Sequence, residues 1–90
     1  MTSQQQELER VQQIKYKYEH ALLKLANVVG VGVGLKVVDG HVTETLSVVT
    51  DVTEKKPLAE LAPRDVVPVQ LEGVLTDVQE VGHIKALHEL

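Results

Sequence analysis

Apolar residues near the start of the chain recur at Val11, Ile14, Tyr18, Ala21 and Leu25, a 3-4-3-4 spacing that lines one side of a helix. Leu8 and Leu22 widen this stripe, and glutamine, lysine and glutamate fill most positions between. Ser3 followed by Gln6 has the spacing of a capping box, with Glu7 and Glu9 near the positive helix end. No glycine or proline intervenes before Asn27, so a helix is expected over about residues 3–26. About three heptads make a marginal isolated coiled coil, and the stripe is expected to dock on a sheet instead.

The pattern changes at Val28. Val28-Val29-Gly30-Val31-Gly32-Val33-Gly34-Leu35-Lys36-Val37-Val38 has a period of two, and valine, stiff at χ1, favours extended backbone. Asp39-Gly40 supplies two residues that tolerate positive φ, as a tight hairpin requires. The return strand runs from His41 to about Thr53. A two-residue turn sets the register. It pairs Val38 with His41, Val37 with Val42, Leu35 with Glu44, Val33 with Leu46, Val31 with Val48 and Val29 with Thr50. The opposite face pairs Lys36 with Thr43, Gly34 with Thr45, Gly32 with Ser47 and Gly30 with Val49. One face of the ribbon is therefore aliphatic and is expected to receive the helix. The other is expected to be nearly bare of side chains.

Glu54-Lys55-Lys56-Pro57 ends this strand, Pro57 opens a helical turn near residues 58–62, and Pro63 closes it. Residues 66–71 read as a short strand that Pro68 confines to a sheet edge. Glu72-Gly73 turns the chain into a further strand at residues 74–81. After Gly82 the tail 83–90 carries Ile84 and Leu87 at helical spacing and reads either as a short helix or as a frayed end. The expected architecture is one α+β domain over residues 1–90. An N-terminal amphipathic helix packs on a small, mainly antiparallel sheet, spanning about residues 28–82 and built around the 28–38/41–53 hairpin.

Composition narrows the function. A chain of 90 residues buries only about 60–65% of its unfolded surface, too little for a complete trypsin-like, Rossmann or barrel enzyme. Nine Lys and Arg against thirteen Asp and Glu give a net charge of −4, with no basic stretch and two tyrosines, a poor match to nucleic acid. There is no cysteine, hence no disulfide framework and no thiolate zinc site. The first residues lack the positive region and apolar core of a secretion signal, and Val28–Leu35 is too short and glycine-rich to span a bilayer. A cytoplasmic protein with no membrane partner is expected. With no Phe or Trp the core is aliphatic, and stability is expected to be modest unless subunits associate.

Candidate chemistry is sparse. Gly30-x-Gly32-x-Gly34 is not a dinucleotide fingerprint, because Leu35 stands where the third glycine belongs, nor a Walker loop, because Lys36-Val37 leads into more strand. Each glycine weakens a strand by about 0.5–1 kcal/mol relative to alanine, so alternating glycines imply a compensating close approach. His41, Ser47 and Asp51 are the residue types of a hydrolytic triad. On one strand, however, His41 and Ser47 lie about 20 Å apart. His83 and His88, five apart, do not share a helical face, and His20 and His41 fall in other elements. Asp51, Asp65 and Asp77 read as turn and capping residues. No catalytic, cofactor-binding or metal-ligating residue is expected. Tyr16 lies off the core stripe, and an exposed tyrosine is an interface signal. The candidate interface is Tyr16, Gly30, Gly32, Gly34, Thr45 and Ser47. The expected function is a non-catalytic interaction or self-assembly module that forms homo-oligomers through the glycine-lined face, a sheet edge or the helix.

One ordered series adds a resemblance. Asn27-Val28-Val29-Gly30-Val31-Gly32-Val33-Gly34 is followed by Pro57-Leu58-Ala59-Glu60-Leu61, Val67-Pro68, and Gly73-Val74-Leu75-Thr76-Asp77-Val78-Gln79-Glu80-Val81-Gly82. This series resembles the segment that precedes the peptidase-like domain in a group of bacterial trypsin-like proteins, over about residues 27–85. The N-terminal helix lies outside it, and no peptidase portion follows in this sequence, so no catalytic residue carries over. The resemblance implies a compact α+β accessory unit. It also implies an alternative function, a regulatory or chaperone-like partner of a separately encoded peptidase-like protein.

Overall fold

The computed structural model describes residues 2–82. Helix α1 spans Ser3–Leu23, strands β1 and β2 span Val28–Val38 and His41–Val52, and β3 and β4 span Gln70–Leu71 and Val74–Glu80. The architecture is α+β, one helix on a four-stranded sheet of order β1-β2-β4-β3. The tail 83–90, with His83 and His88, lies outside the described residues.

The capping box sits one residue earlier than expected. Thr2 Oγ1 accepts the N–H of Gln5 at 3.1 Å, and Gln5 Oε1 accepts the N–H of Thr2 at 2.9 Å. Thr2-x-x-Gln5 and Ser3-x-x-Gln6 satisfy the same rule, and the earlier pair adds one residue to the helix. At its other end α1 stops short of residue 26. The N–H of Lys24 bonds Ala21 O and Leu22 O, and Asn27 turns the chain at φ 68°. The helix lays Val11 and Leu22 on Val48, Leu71 and Val74, flanked by Ile14, Tyr18, Leu25, Val31, Val33 and Leu46. This is the aliphatic face, and full burial of a side chain such as Val11, Leu22 or Val48 stabilises by about 1.5–3 kcal/mol.

Asp39 and Gly40 take φ 50° and 78°, the geometry of the tight hairpin turn. Val38 pairs with His41 and Val37 with Val42, as expected, and then the register departs from expectation. Lys36 faces Thr43, Glu44 and Thr45 together, and beyond it Leu35 pairs with Leu46, Val33 with Val48 and Val31 with Thr50. The bulge places leucine rather than Glu44 opposite Leu35. It is pinned by Thr43 Oγ1, which donates to Lys36 O at 2.7 Å and accepts the N–H of Thr45 at 3.2 Å. A slip of two residues preserves side-chain parity, so the aliphatic face survives the correction. A second irregularity leaves Val29 unpaired between Val28–Val52 and Gly30–Asp51.

The sheet is mixed. β1–β2 and β3–β4 are antiparallel, whereas β2 and β4 run parallel, with Val48 beside Thr76 and Thr50 beside Val78. A parallel neighbour needs a crossover, here formed by 3-10 turns at Leu58–Glu60 and Pro63–Asp65, by β3 and by the Glu72-Gly73 turn. Pro63 opens a turn of its own, and the strand expected at residues 66–71 shrinks to Gln70–Leu71. Its forerunner is fastened differently: Thr76 Oγ1 donates to Pro68 O, and the N–H of Thr76 bonds Val69 O at 3.0 Å. β3 does lie at a sheet edge.

Candidate interaction surface

The glycine face is filled from within the chain. Gly34 pairs with Ser47, Gly32 with Val49, Gly30 with Asp51, and Val49 in turn with Asp77 of β4. Directly opposed residues share a face, so Ser47, Val49, Asp51 and Asp77 all stand on the glycine side. A β-carbon on Gly34 would lie 3.3 Å from Val49 Cγ2, and one on Gly30 would lie 3.2 Å from Asp51 Oδ2. These two glycines make room for side chains of the next strand, which is the close approach their cost implied. Gly32 is different: a β-carbon there meets nothing within 4 Å. Ser47 is fully buried and donates to Gly34 O at 3.1 Å. Thr45 is exposed in the bulge and does not face Gly34.

The hairpin tip is tied down on β4. The N–H of Val37 donates to Asp77 Oδ2 at 2.9 Å, and Gln79 Nε2 donates to the same oxygen at 3.3 Å. Lys36 Nζ donates to Thr76 O at 2.7 Å and lies 4.0 Å from Asp77 Oδ1. Asp77 is 7% exposed, so these donors supply what water would otherwise provide to a buried carboxylate.

The two sheet edges are unlike. β3 presents two residues, a blunted edge, whereas β1 presents eleven. In an extended strand successive N–H and C=O pairs point to alternate sides. Lys36 O is turned toward β2, since it accepts the Thr43 hydroxyl, and Gly34 O toward β2, since it accepts Ser47. Val31, Val33 and Leu35 therefore direct their backbone groups away from β2. Among the described residues no turn or side chain engages those groups. The window is closed at one end by the Val37–Asp77 bond, and at the other by the Val29 bulge and the bond from Val28 N–H to Leu25 O at 3.2 Å.

On the helix, Tyr16 is 70% exposed, with Lys15 Nζ 4.7 Å from its ring centre. Tyr18 joins the core stripe, and its hydroxyl donates to Glu72 Oε2 at 2.7 Å. Lys17 Nζ pairs with the same oxygen at 2.6 Å, and Arg10 Nη2 donates to Glu72 O at 2.8 Å. The hydrogen bonds from Lys17 and then Tyr18 hold the Glu72 carboxyl below the usual carboxylate range, and the same contact with Glu72 raises Lys17. In the sequence Lys17 is one of the lysines that fill the positions between the stripe residues. Its spacing from Arg10 marked a common helix side, but nothing local pointed to an acid so distant in the chain.

At the ends of β2 and β4 an open cleft of about 210 Å³ is lined chiefly by Val28, Val52, Leu61, Val67 and Val78. The carboxylate of Asp65, on its rim, accepts the N–H of Ala26 at 3.1 Å. Glu54, Lys55 and Lys56 line the cleft as well. Among the described residues no three His, Asp or Glu side chains gather to hold a metal ion. His20 and His41 are exposed on different elements. No described helix is long and apolar enough to cross a membrane. No protein-family model matches the chain, and no curated protein matches it.

Proposed function

We propose that this protein is a non-catalytic self-assembly module that uses the open edge of β1 as its adhesive surface. The observation that carries this reading is the window of outward backbone groups at Val31, Val33 and Leu35 on the eleven-residue strand β1, in a sheet whose other edge strand is two residues long. Natural sheets protect long edges with charge, proline or cover; β1 has Lys36 as its one charge, and that ammonium is held on Thr76. The glycine face is a weaker candidate, because Ser47 and Val49 are already buried on it. Tyr16 offers the helix as a secondary contact.

Size-exclusion chromatography with light scattering, run over a wide concentration range, tests the proposal. A discrete oligomer that dissociates on dilution is expected. A strict monomer at high concentration overturns the reading. If that monomer bound a trypsin-like peptidase, the accessory role implied by the sequence resemblance would replace it.

A further inference from the structure

We infer that the partner at this edge is a second copy whose β1 runs antiparallel to the first, about a two-fold axis passing midway between the two copies of Val33. The inference rests on the self-assembly reading above and specifies its geometry.

The free window is Val31, Val33 and Leu35, bounded by the Val29 bulge and by Val37, whose N–H belongs to Asp77. A window with Val33 at its centre matches itself under a two-fold rotation. Val31 then faces Leu35 of the second copy, Val33 faces Val33, and Leu35 faces Val31. Each outward N–H and C=O finds its complement, about six new hydrogen bonds in all. The opposed side chains are aliphatic throughout, and no charge meets a like charge. Exposed Leu35, at 43%, gains cover.

The glycines fit the same register. Between the hydrogen-bonded positions, Gly32 falls opposite Gly34 of the second copy, at the non-hydrogen-bonded site where backbones come closest, about 4.5 Å between Cα atoms. This gives Gly32, which makes room for nothing within its own chain, a neighbour that its missing β-carbon accommodates. The axis stands perpendicular to the sheet, so both α1 helices lie on one face of a continuous eight-stranded sheet (four strands from each copy). An isologous pairing of this kind consumes both β1 edges and leaves only the short β3 edges outside, which closes the assembly at a dimer.

Amide hydrogen exchange on the whole protein, in dilute and concentrated solution, tests the register. The amides of Val31, Val33 and Leu35 are expected to slow at high concentration by tenfold or more, while those of Gly32 and Gly34, already turned to β2, stay unchanged. Val33→Pro removes an outward N–H without touching the β2 ladder, and should abolish the dimer with helical circular dichroism retained. Leu35→Lys is a second route to the same loss, should the proline variant fail to fold. If the wild type dimerises yet gains protection elsewhere, or both folded variants still dimerise, the register is overturned and self-assembly stands. If no dimer forms at any concentration, both fall.

Discussion

Val37 donates its backbone N–H to the buried carboxylate of Asp77, forty positions away in sequence, at 2.9 Å. β1 and β4 are not neighbours in the sheet, so this bond fixes how far the hairpin tip bends over the strands. It also ends the run of free edge groups on β1. Asp77→Ala leaves the Val37 N–H and the Lys36 ammonium without that acceptor, and should cost about 1–3 kcal/mol in urea unfolding. Asp77→Asn keeps an acceptor oxygen and should lose less. Equal loss in both variants would mean that charge on Asp77, rather than the bond to Val37, holds the tip.

The three strand glycines should respond to alanine in a set order. Gly32→Ala meets open space and should gain about 0.5–1 kcal/mol from reduced unfolded-chain freedom, measured in dilute solution. Gly30→Ala meets the end of the Asp51 side chain, which can swing aside, and should be close to neutral. Gly34→Ala pushes on Val49 Cγ2, a branched side chain that is stiff at χ1, and should cost about 1–3 kcal/mol. Denaturation midpoints of the three variants check the order.

Much of this arrangement was legible in residue spacing. The 3-4 stripe fixed which helix side is buried, and Asp39-Gly40 located the hairpin turn, because both signals are local. The register was not legible beyond Val37. A turn sets the pairing only until a bulge intervenes, and the Thr43–Lys36 bond that holds the bulge depends on the folded strands. The parallel β2–β4 pairing was likewise out of reach, since no short-range pattern distinguishes a strand that returns parallel after a crossover from one that turns back. The candidate surface shows the same division. Gly30, Gly32 and Gly34 marked a close approach, but which of them a neighbouring side chain already fills depends on the shifted register.

Thr50 is fully buried on the aliphatic face, between Val31 and Val78 in the register, and its hydroxyl has no hydrogen-bond partner. An unsatisfied hydroxyl in such surroundings costs about 1–3 kcal/mol, whereas valine has nearly the same shape and no polar atom. Thr50→Val should therefore raise stability by about 1–2 kcal/mol, read as a higher urea midpoint at an unchanged slope. A loss of stability would show that an ordered water or a rotated side chain satisfies the hydroxyl in solution.

Glu72 anchors the β3–β4 turn to α1 through Lys17 and Tyr18, and the pH dependence of that anchor has a definite sign. The folded protein holds Glu72 below its ordinary value, so its contribution is complete above about pH 4.3 and fades as the pH falls through the lower folded value. Lys17 is raised, so its contribution is complete below about pH 10.4 and fades as the pH climbs through the higher folded value. Tyr18 is raised too, chiefly by its hydrogen bond to Glu72, and follows the same alkaline course from about pH 10. Glu72 and Lys17 are exposed and the hydroxyl of half-buried Tyr18 meets Glu72 at the surface, so water and salt screen the effect and keep it small. Glu72→Gln mimics the protonated acid. Wild type should therefore unfold at higher urea than this variant near neutrality, and the two midpoints should converge toward about pH 3 and again at strongly alkaline pH. The gap at neutrality should narrow in about 1 M salt. A gap that stays constant across the whole pH range would mean that Glu72 acts through shape rather than charge, and the ion pair with Lys17 would then contribute nothing to holding the turn against the helix.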